Sequence, residues 1–218
     1  QDYGNKIINF SDKKVITEKF HNKKHSFKKY NHQTFLMKKT FPNLNLKNIN
    51  FKEVSINTKN MKKNSLFFAI KGKNTDGHKF VKEAIRKGAI KSVVSQGIDK
   101  ISRNKIIKVK NTLSSLNNLA KSTRENTLAK IIGVTGSAGK TTLKNLISFA
   151  LRDYGKVYYS PHSYNNKFGV PLSLSNLKNS TKYGVFEIGM DKKGEINYLS
   201  KIVKPEIAVI TNIAGAHF

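Results

Sequence analysis

The sequence contains no cysteine and no tryptophan, and only four prolines. Without cysteine the chain can form no disulfide, no thiolate metal site and no thiol nucleophile. Arginine is also scarce: of 41 basic residues only Arg86, Arg103, Arg124 and Arg152 carry the planar fork suited to bidentate recognition of bases and phosphates. Acidic residues number 13, leaving a formal charge of +28. Long apolar runs are missing too. The densest is Leu66-Phe67-Phe68-Ala69-Ile70, far short of the roughly 18–20 residues that a membrane-spanning helix needs. The first thirty residues mix Asp, Glu and Lys without an apolar segment, so no signal peptide and no membrane insertion are expected, and the chain reads as cytoplasmic.

So large a positive charge invites a nucleic-acid reading, because lysine-rich surfaces bind phosphate backbones. The distribution argues against it. The lysines are spread along the whole chain, and they accompany abundant Asn and Ile, the signature of an AT-rich coding sequence. Lysine on solvated faces accounts for the charge, and no nucleic-acid partner is expected. With 38% hydrophobic residues in 218, there is enough apolar material for one large domain or two modest ones.

Residues 1–35 form a Lys-, Asn- and His-rich segment of weak periodicity, in which His21, His25 and His32 lack metal-binding spacing and read as solvated tail. From Phe51 the pattern sharpens. Leu66–Ile70 reads as a buried strand followed by the turn-prone Gly72–Gly77. Phe80, Val81, Ala84 and Ile85 then recur at helical spacing, with Gly88 as the stop. Ser92–Ser95 and Lys105–Val109 are β-branched runs, and Thr112 is placed to cap a linker helix over 111–126 bearing Leu113, Leu116, Leu119 and Ala120. Beyond it, strands at Ile131–Thr135, Val157–Tyr159, Val185–Ile188 and Ile207–Thr211 alternate with helices. These are Lys140–Arg152, with Leu143, Leu146, Ile147 and Ala150 inward, and Glu195–Val203, with Ile196, Leu199 and Val203 inward. This alternation predicts an α/β protein with parallel sheets: a small α/β domain over 36–110, then a phosphate-loop ATPase domain over 127–218. The chain stops directly after a strand, so that second domain is expected to be incomplete.

The segment Gly133-Val134-Thr135-Gly136-Ser137-Ala138-Gly139-Lys140-Thr141-Thr142 lies between a strand and a helix. There Gly136 and Gly139 let backbone N–H groups of Ser137 and Ala138 turn toward phosphate oxygens, and the helix N-terminus adds partial positive charge. Lys140 is expected to reach the β- and γ-phosphates, Thr141 to ligate Mg²⁺, and Thr142 to continue the cradle. The spacing departs from the strict Walker pattern, since Val134 stands where its first glycine belongs.

That departure carries a resemblance. The string TGSAGKTT is similar to the loop of the Mur ligase family, ATP-dependent enzymes that add amino acids to the peptidoglycan precursor. Ser163-Tyr164-Asn165-Asn166-Lys167-Phe168-Gly169-Val170-Pro171-Leu172 resembles the signature of the family's D-alanyl-D-alanine-adding branch, with Ser163 where that branch has Asn. Glu187-Ile188-Gly189-Met190 with Gly194-Glu195-Ile196, and Ile210-Thr211-Asn212-Ile213 with Ala216-His217, resemble two further stretches. Upstream, Ser65–Gly72 and Asp76-Gly77-His78-Lys79-Phe80 resemble the family's uridine-nucleotide domain, although Asn57-Thr58-Lys59 and Asn64-Ser65 differ from its usual residues. The resemblance runs from about Leu36 to Phe218.

The resemblance implies ATP and Mg²⁺ as cofactors, with UDP-N-acetylmuramoyl-tripeptide and D-alanyl-D-alanine as substrates of a monomeric ligase working through an acyl phosphate. Lys140, Glu187 and His217 would be catalytic, the last two with Thr141 holding metal, and Asn165 and Asn166 would face the phosphates or the sugar-linked substrate. Thr58, Lys59, Lys71, Asp76, Gly77 and His78 would contact the uridine nucleotide, while Gly189, Gly194 and Met190 serve geometry or packing. It also implies that the chain is a fragment, inactive alone. Residues 1–35 then read either as the end of a preceding, fused ligase or as a basic extension. Other readings are a folylpolyglutamate-synthase-like ligase and a non-catalytic nucleotide- or nucleic-acid-binding module.

Overall fold

The computed structural model describes residues 31–42 and 49–214. The basic segment before Asn31, with its His21 and His25, and the Ala216-His217 pair therefore lie outside the described residues.

The first sheet is fully parallel, ordered β1 (Val54–Ser55), β2 (Leu66–Phe68), β3 (Lys91–Val94), β4 (Ile106–Lys108). A central parallel strand is covered on both faces and so reads as an unbroken apolar run. Side chains alternate across it. Leu66 and Phe68 join Leu36, Met37 and Leu116 on one side, and Phe67 and Ala69 join Val81 and Ala84 on the other. Helix α1 (His32–Thr40) supplies Leu36 and Met37, and α2 (Val81–Arg86) supplies the opposite cover. The existence of α1 corrects the expectation of a solvated tail at His32. Asn31 caps it by accepting from the Thr34 N–H at 2.8 Å, and burial lowers the pKa of His32.

Helix α3 (Thr112–Asn126) connects the halves. Its cap is Asn111, whose side chain accepts from the Ser114 N–H at 2.8 Å, and not Thr112, which is buried. Leu116 and Leu119 enter the first core and Ala120 the second. Near its end Arg124 donates to the Val203 and Lys204 carbonyls at 2.8 and 2.7 Å.

The second sheet is also parallel, ordered β6 (Val157–Tyr159), β7 (Tyr183–Glu187), β5 (Lys130–Thr135), β8 (Ile207–Ile210). Helix α4 (Lys140–Ala150) covers one face, where Leu143 and Ile147 pack near Ile132, Val134 and Val185. Its inner stripe differs from the expected one: Lys144 and Ser148 are buried, whereas Leu146 is 60% exposed and Ala150 is exposed. At 100° per residue, 143, 144, 147 and 148 share a side and 146 and 150 fall outside it. The other face carries α5 (Gly169–Ser175), which begins inside the stretch read only as a signature and runs past it, and α6 (Glu195–Val203), which has the predicted bounds. Asn176, after α5, accepts from the Val54 N–H at 2.8 Å and donates to the Val54 carbonyl at 2.9 Å, joining the second half to the edge of the first sheet.

Candidate functional site

From β5 the chain crosses to β6 and β7 on one side and later to β8 on the other. Crevices at the carboxyl ends of strands, where the order switches, are the binding places of open α/β sheets. Val134 of β5 pairs with Glu187 of β7, so the turn leaving β5 and the carboxylate ending β7 emerge side by side.

That turn is Gly136–Gly139. Gly136 has φ +131°, open to glycine and strained for other residues, and Gly139 has φ +73° immediately before α4. No side chain caps α4, so its first N–H groups remain available to an anion. The Lys140 ammonium folds over the loop, donating to the Gly136 and Ser137 carbonyls at 2.7 and 3.1 Å. The segment after β8 braces the loop from outside. The Asn212 carbonyl accepts from the Ser137 N–H at 3.0 Å, its side chain accepts from the Ala138 N–H at 2.9 Å, and Thr211 donates to the Ala138 carbonyl. Thr142 is exposed on the first turn.

Glu187 is 1% exposed, although it stands at the mouth of the site. Thr141 Oγ1 donates to its Oε2 at 2.8 Å and Asn165 Nδ2 to its Oε1 at 2.8 Å. Lys144, also 1% exposed, places Nζ 3.5 Å from Oε2 and donates to the carbonyls of Ser160 and His162 at 3.0 and 2.6 Å. Sequence reasoning missed Lys144. The available signal was a lysine three residues after Thr141, on the side of α4 that also carries Leu143 and Ile147. The four groups Thr141, Lys144, Asn165 and Glu187 thus form one polar cluster beneath the loop. A hydroxyl and a carboxylate are the hard oxygen donors that suit Mg²⁺, so the residues present fit that ion. Among the described residues no three His, Cys, Asp or Glu side chains gather as a metal cage, and His217 lies outside them. Asn166 faces differently from Asn165: its side chain accepts from the Phe168 and Gly169 N–H groups at 3.0 Å each and so opens α5.

A second cleft of about 660 Å³ runs between the halves, lined by Thr58, Lys59, Gly72, Thr75 and Gly77 from the first and by Tyr164, Asn166 and Phe168 from the second. The structure brings Thr58, Lys59 and Gly77 to its walls. His78 is not among its lining residues. Its ring is 3% exposed, with Nδ1 2.6 Å from Asp76 Oδ1 and Nε2 accepting from the Ser95 N–H at 2.9 Å. With both nitrogens engaged inside the protein, His78 ties the 71–77 loop to the end of β3. Asp76 accepts from the His78 N–H at 2.9 Å as well. That backbone bond, followed by the ring contact and the charge of Lys71, holds its carboxyl below the usual range. Lys71 is exposed and pairs with Asp76 in an isolated antiparallel bridge.

Comparison with known proteins bears on the same regions. The Mur ligase family catalytic domain matches residues 50–124 and the Mur ligase middle domain matches 134–218. The chain is 41% identical, over 169 residues, to the UDP-N-acetylmuramoyl-tripeptide--D-alanyl-D-alanine ligase of Rickettsia prowazekii, spanning 78% of this chain and 37% of that one. It is 34% identical to the enzyme of the same name from Escherichia coli, over 75% of this chain and 36% of that one. The chain thus spans little more than a third of the length of these curated relatives. Among solved structures it resembles MurF from Acinetobacter baumannii (TM-score 0.73, 30% identity, 84% of this chain and 41% of that). It also resembles MurF ligase from Thermotoga maritima in complex with ADP (TM-score 0.64, 32% identity, 77% of this chain and 39% of that).

Proposed function

The chain belongs to the Mur ligase family, and from that premise we propose that it carries the nucleotide site and one wall of the substrate cleft of an ATP-dependent ligase. The ligase joins D-alanyl-D-alanine to UDP-N-acetylmuramoyl-tripeptide. Residues 36–110 take the uridine nucleotide, 111–126 link, and 127–218 take ATP. The observation that carries this reading is the bond from Thr141 of the Gly-Lys-Thr-Thr loop to the buried Glu187 carboxylate. It puts the hydroxyl and the carboxylate that fit Mg²⁺ directly beneath an uncapped helix start.

A carboxylate is a poor electrophile, and ATP makes it one that an amine can attack by converting it to an acyl phosphate. The work left to the protein is positioning and charge stabilisation. The N–H groups of Lys140 and Thr141 at the uncapped start of α4 face the phosphates, those of Ser137 and Ala138 being taken by Asn212, and Lys140 exchanges its two loop carbonyls for phosphate oxygens. Thr141 and Glu187 would hold Mg²⁺, which when bound screens the charge of the transferring phosphoryl group. Thr58, Lys59 and Gly77 line the cleft for the uridine nucleotide, with Lys71 and Asp76 at the adjoining loop. Among the described residues no helix is long and apolar enough to cross a membrane, and we read the enzyme as cytoplasmic. We read it as a monomer without a nucleic-acid partner.

The test is ADP release by the enzyme carrying this chain, with each substrate omitted in turn. Release that requires both the UDP-linked tripeptide and D-alanyl-D-alanine is the expected result. Turnover stimulated by RNA or DNA, and indifferent to those two substrates, would overturn the reading.

A further inference from the structure

Glu187 is surrounded on nearly every side. An ionised carboxylate offers about four lone-pair positions. On Oε2 these meet Thr141 Oγ1 and the Lys144 ammonium, and on Oε1 one meets Asn165 Nδ2. One direction on Oε1 is left. A metal ion arriving here gains a single carboxylate oxygen and, because the Thr141 proton already points to Glu187, the lone pairs of the Thr141 hydroxyl. Mg²⁺ takes six oxygens at near-octahedral geometry, so these two donors are a minority of its shell.

The charges point the same way. The Glu187 carboxylate faces the Lys144 ammonium at 3.5 Å, both 1% exposed, and the Lys140 ammonium lies above them on the loop. One negative and two positive charges leave the bare site with a net positive charge, hostile to a free divalent cation. Lys144 is held in place independently of any ligand. Its other bonds go to the Ser160 and His162 carbonyls, on the segment that leads from β6 to Asn165. Thr141 and Lys144 are three residues apart on α4 and so lie on one side of the helix, both reaching Oε2.

We propose that Lys144 is a positioning residue of the phosphate site: it clamps the Glu187 carboxylate and offsets its charge, so that a divalent cation is captured only together with the phosphates of a nucleotide. The inference rests on the nucleotide-binding reading above. The phosphates supply the missing negative charge and the missing oxygens, and Lys144 sets that dependence by cancelling the one carboxylate that could otherwise attract the ion alone.

Titration calorimetry on the full chain tests this with three titrants: Mg²⁺ alone, ATP in EDTA, and ATP with Mg²⁺. The expected result is no saturable Mg²⁺ binding without nucleotide, and ATP tightened by Mg²⁺ by roughly 5- to 150-fold, the ordinary range of linkage between two ligands. Lys144→Met is expected to let Mg²⁺ bind alone and to shrink that factor. A merely structural lysine would give no such gain of binding. Lys144→Arg, which keeps the charge, is expected to retain the wild-type dependence. Saturable Mg²⁺ binding by the wild-type chain, or ATP affinity indifferent to Mg²⁺, overturns the proposal while leaving the nucleotide reading in place. Failure of ATP to bind under any condition overturns the nucleotide reading itself. Should Lys144→Met not fold, the wild-type titrations still decide, and the charge-matched pair Lys144→Met with Glu187→Gln is expected to bind ATP without response to Mg²⁺.

Discussion

A Cβ built on Gly136 would stand 2.1 Å from the Thr211 hydroxyl oxygen. The loop that leaves β5 and the segment that leaves β8 are therefore fitted against each other with no room for a methyl group, and the glycine is also held at φ +131°. Gly136→Ala must move one segment or the other. The expected outcome is a loss of ATP affinity of at least about tenfold, the factor equivalent to 1.4 kcal/mol, accompanied by a lower melting temperature. Calorimetry and thermal unfolding of the same sample check both.

Lys140 behaves differently, because its two partners are loop carbonyls at the rim of the protein. Lys140→Ala is expected to leave the unfolding midpoint within about 0.5 kcal/mol of wild type, as for surface changes. Its effect on ATP should be large, since a hydrogen bond to a charged group contributes about 1.5–3 kcal/mol. Nucleotide titration beside a denaturation curve separates the two effects.

Asp76 gives the protein a pH dependence of definite sign. Its folded-state pKa is lowered, first by the His78 N–H and then by the His78 ring. The stability it adds is thus fully present above the unfolded value of about 3.9 and disappears as pH falls through the depressed folded value. Asp76→Ala, which also removes the cap of the Gly77–Phe80 turn, is expected to cost about 0.5–2 kcal/mol near neutrality. The gap between variant and wild type should narrow below pH 4. Urea unfolding at pH 7, 5 and 3.5 checks the trend.

Asn176 holds the Val54 N–H and carbonyl together. Replacing it with Leu strands two backbone groups at once, each of which costs about 1–3 kcal/mol when buried and unpaired. The expected outcome is a destabilisation of about 2–4 kcal/mol shared by both halves, seen as a shift of one common transition. Two separated transitions would instead show that the Asn176 bonds themselves carry the coupling between the halves.

What could be read in advance follows from periodicity and from motif. Apart from the two-residue β1, which no apolar run announces, the strands of both sheets and the helix Glu195–Val203 lie close to where apolar runs and helical spacing put them, because burial on one or both faces is written into consecutive residues. The helix His32–Thr40 was illegible. It buries little beyond Thr34, Leu36 and Met37, and is held by tertiary packing on Leu116 and its neighbours and not by a strong apolar stripe. Within the site, the Gly-Lys-Thr-Thr loop and Glu187 were legible as residue types between strand and helix. Lys144 and the ring contacts of His78 were not, since a buried lysine and a latched histidine look in sequence like any solvated pair. Their roles exist only because β7 lies beside β5 and β3 lies beside β2.

The last strand of the second sheet has a colloidal consequence. Among the described residues β8 is the outermost strand of its sheet, with Ile207, Ala208 and Ile210 exposed along it, and an outer strand offers a row of backbone groups to another strand. What opposes that encounter is the +28 charge, which makes two copies repel. Salt shortens the reach of this repulsion, from about 10 Å at 0.1 M to about 3 Å at 1 M, and does nothing to the adhesive edge. This 218-residue chain taken by itself is therefore expected to stay dispersed in dilute buffer and to cluster as salt is raised, with its lysines acting as the spacer that keeps one β8 from finding the next.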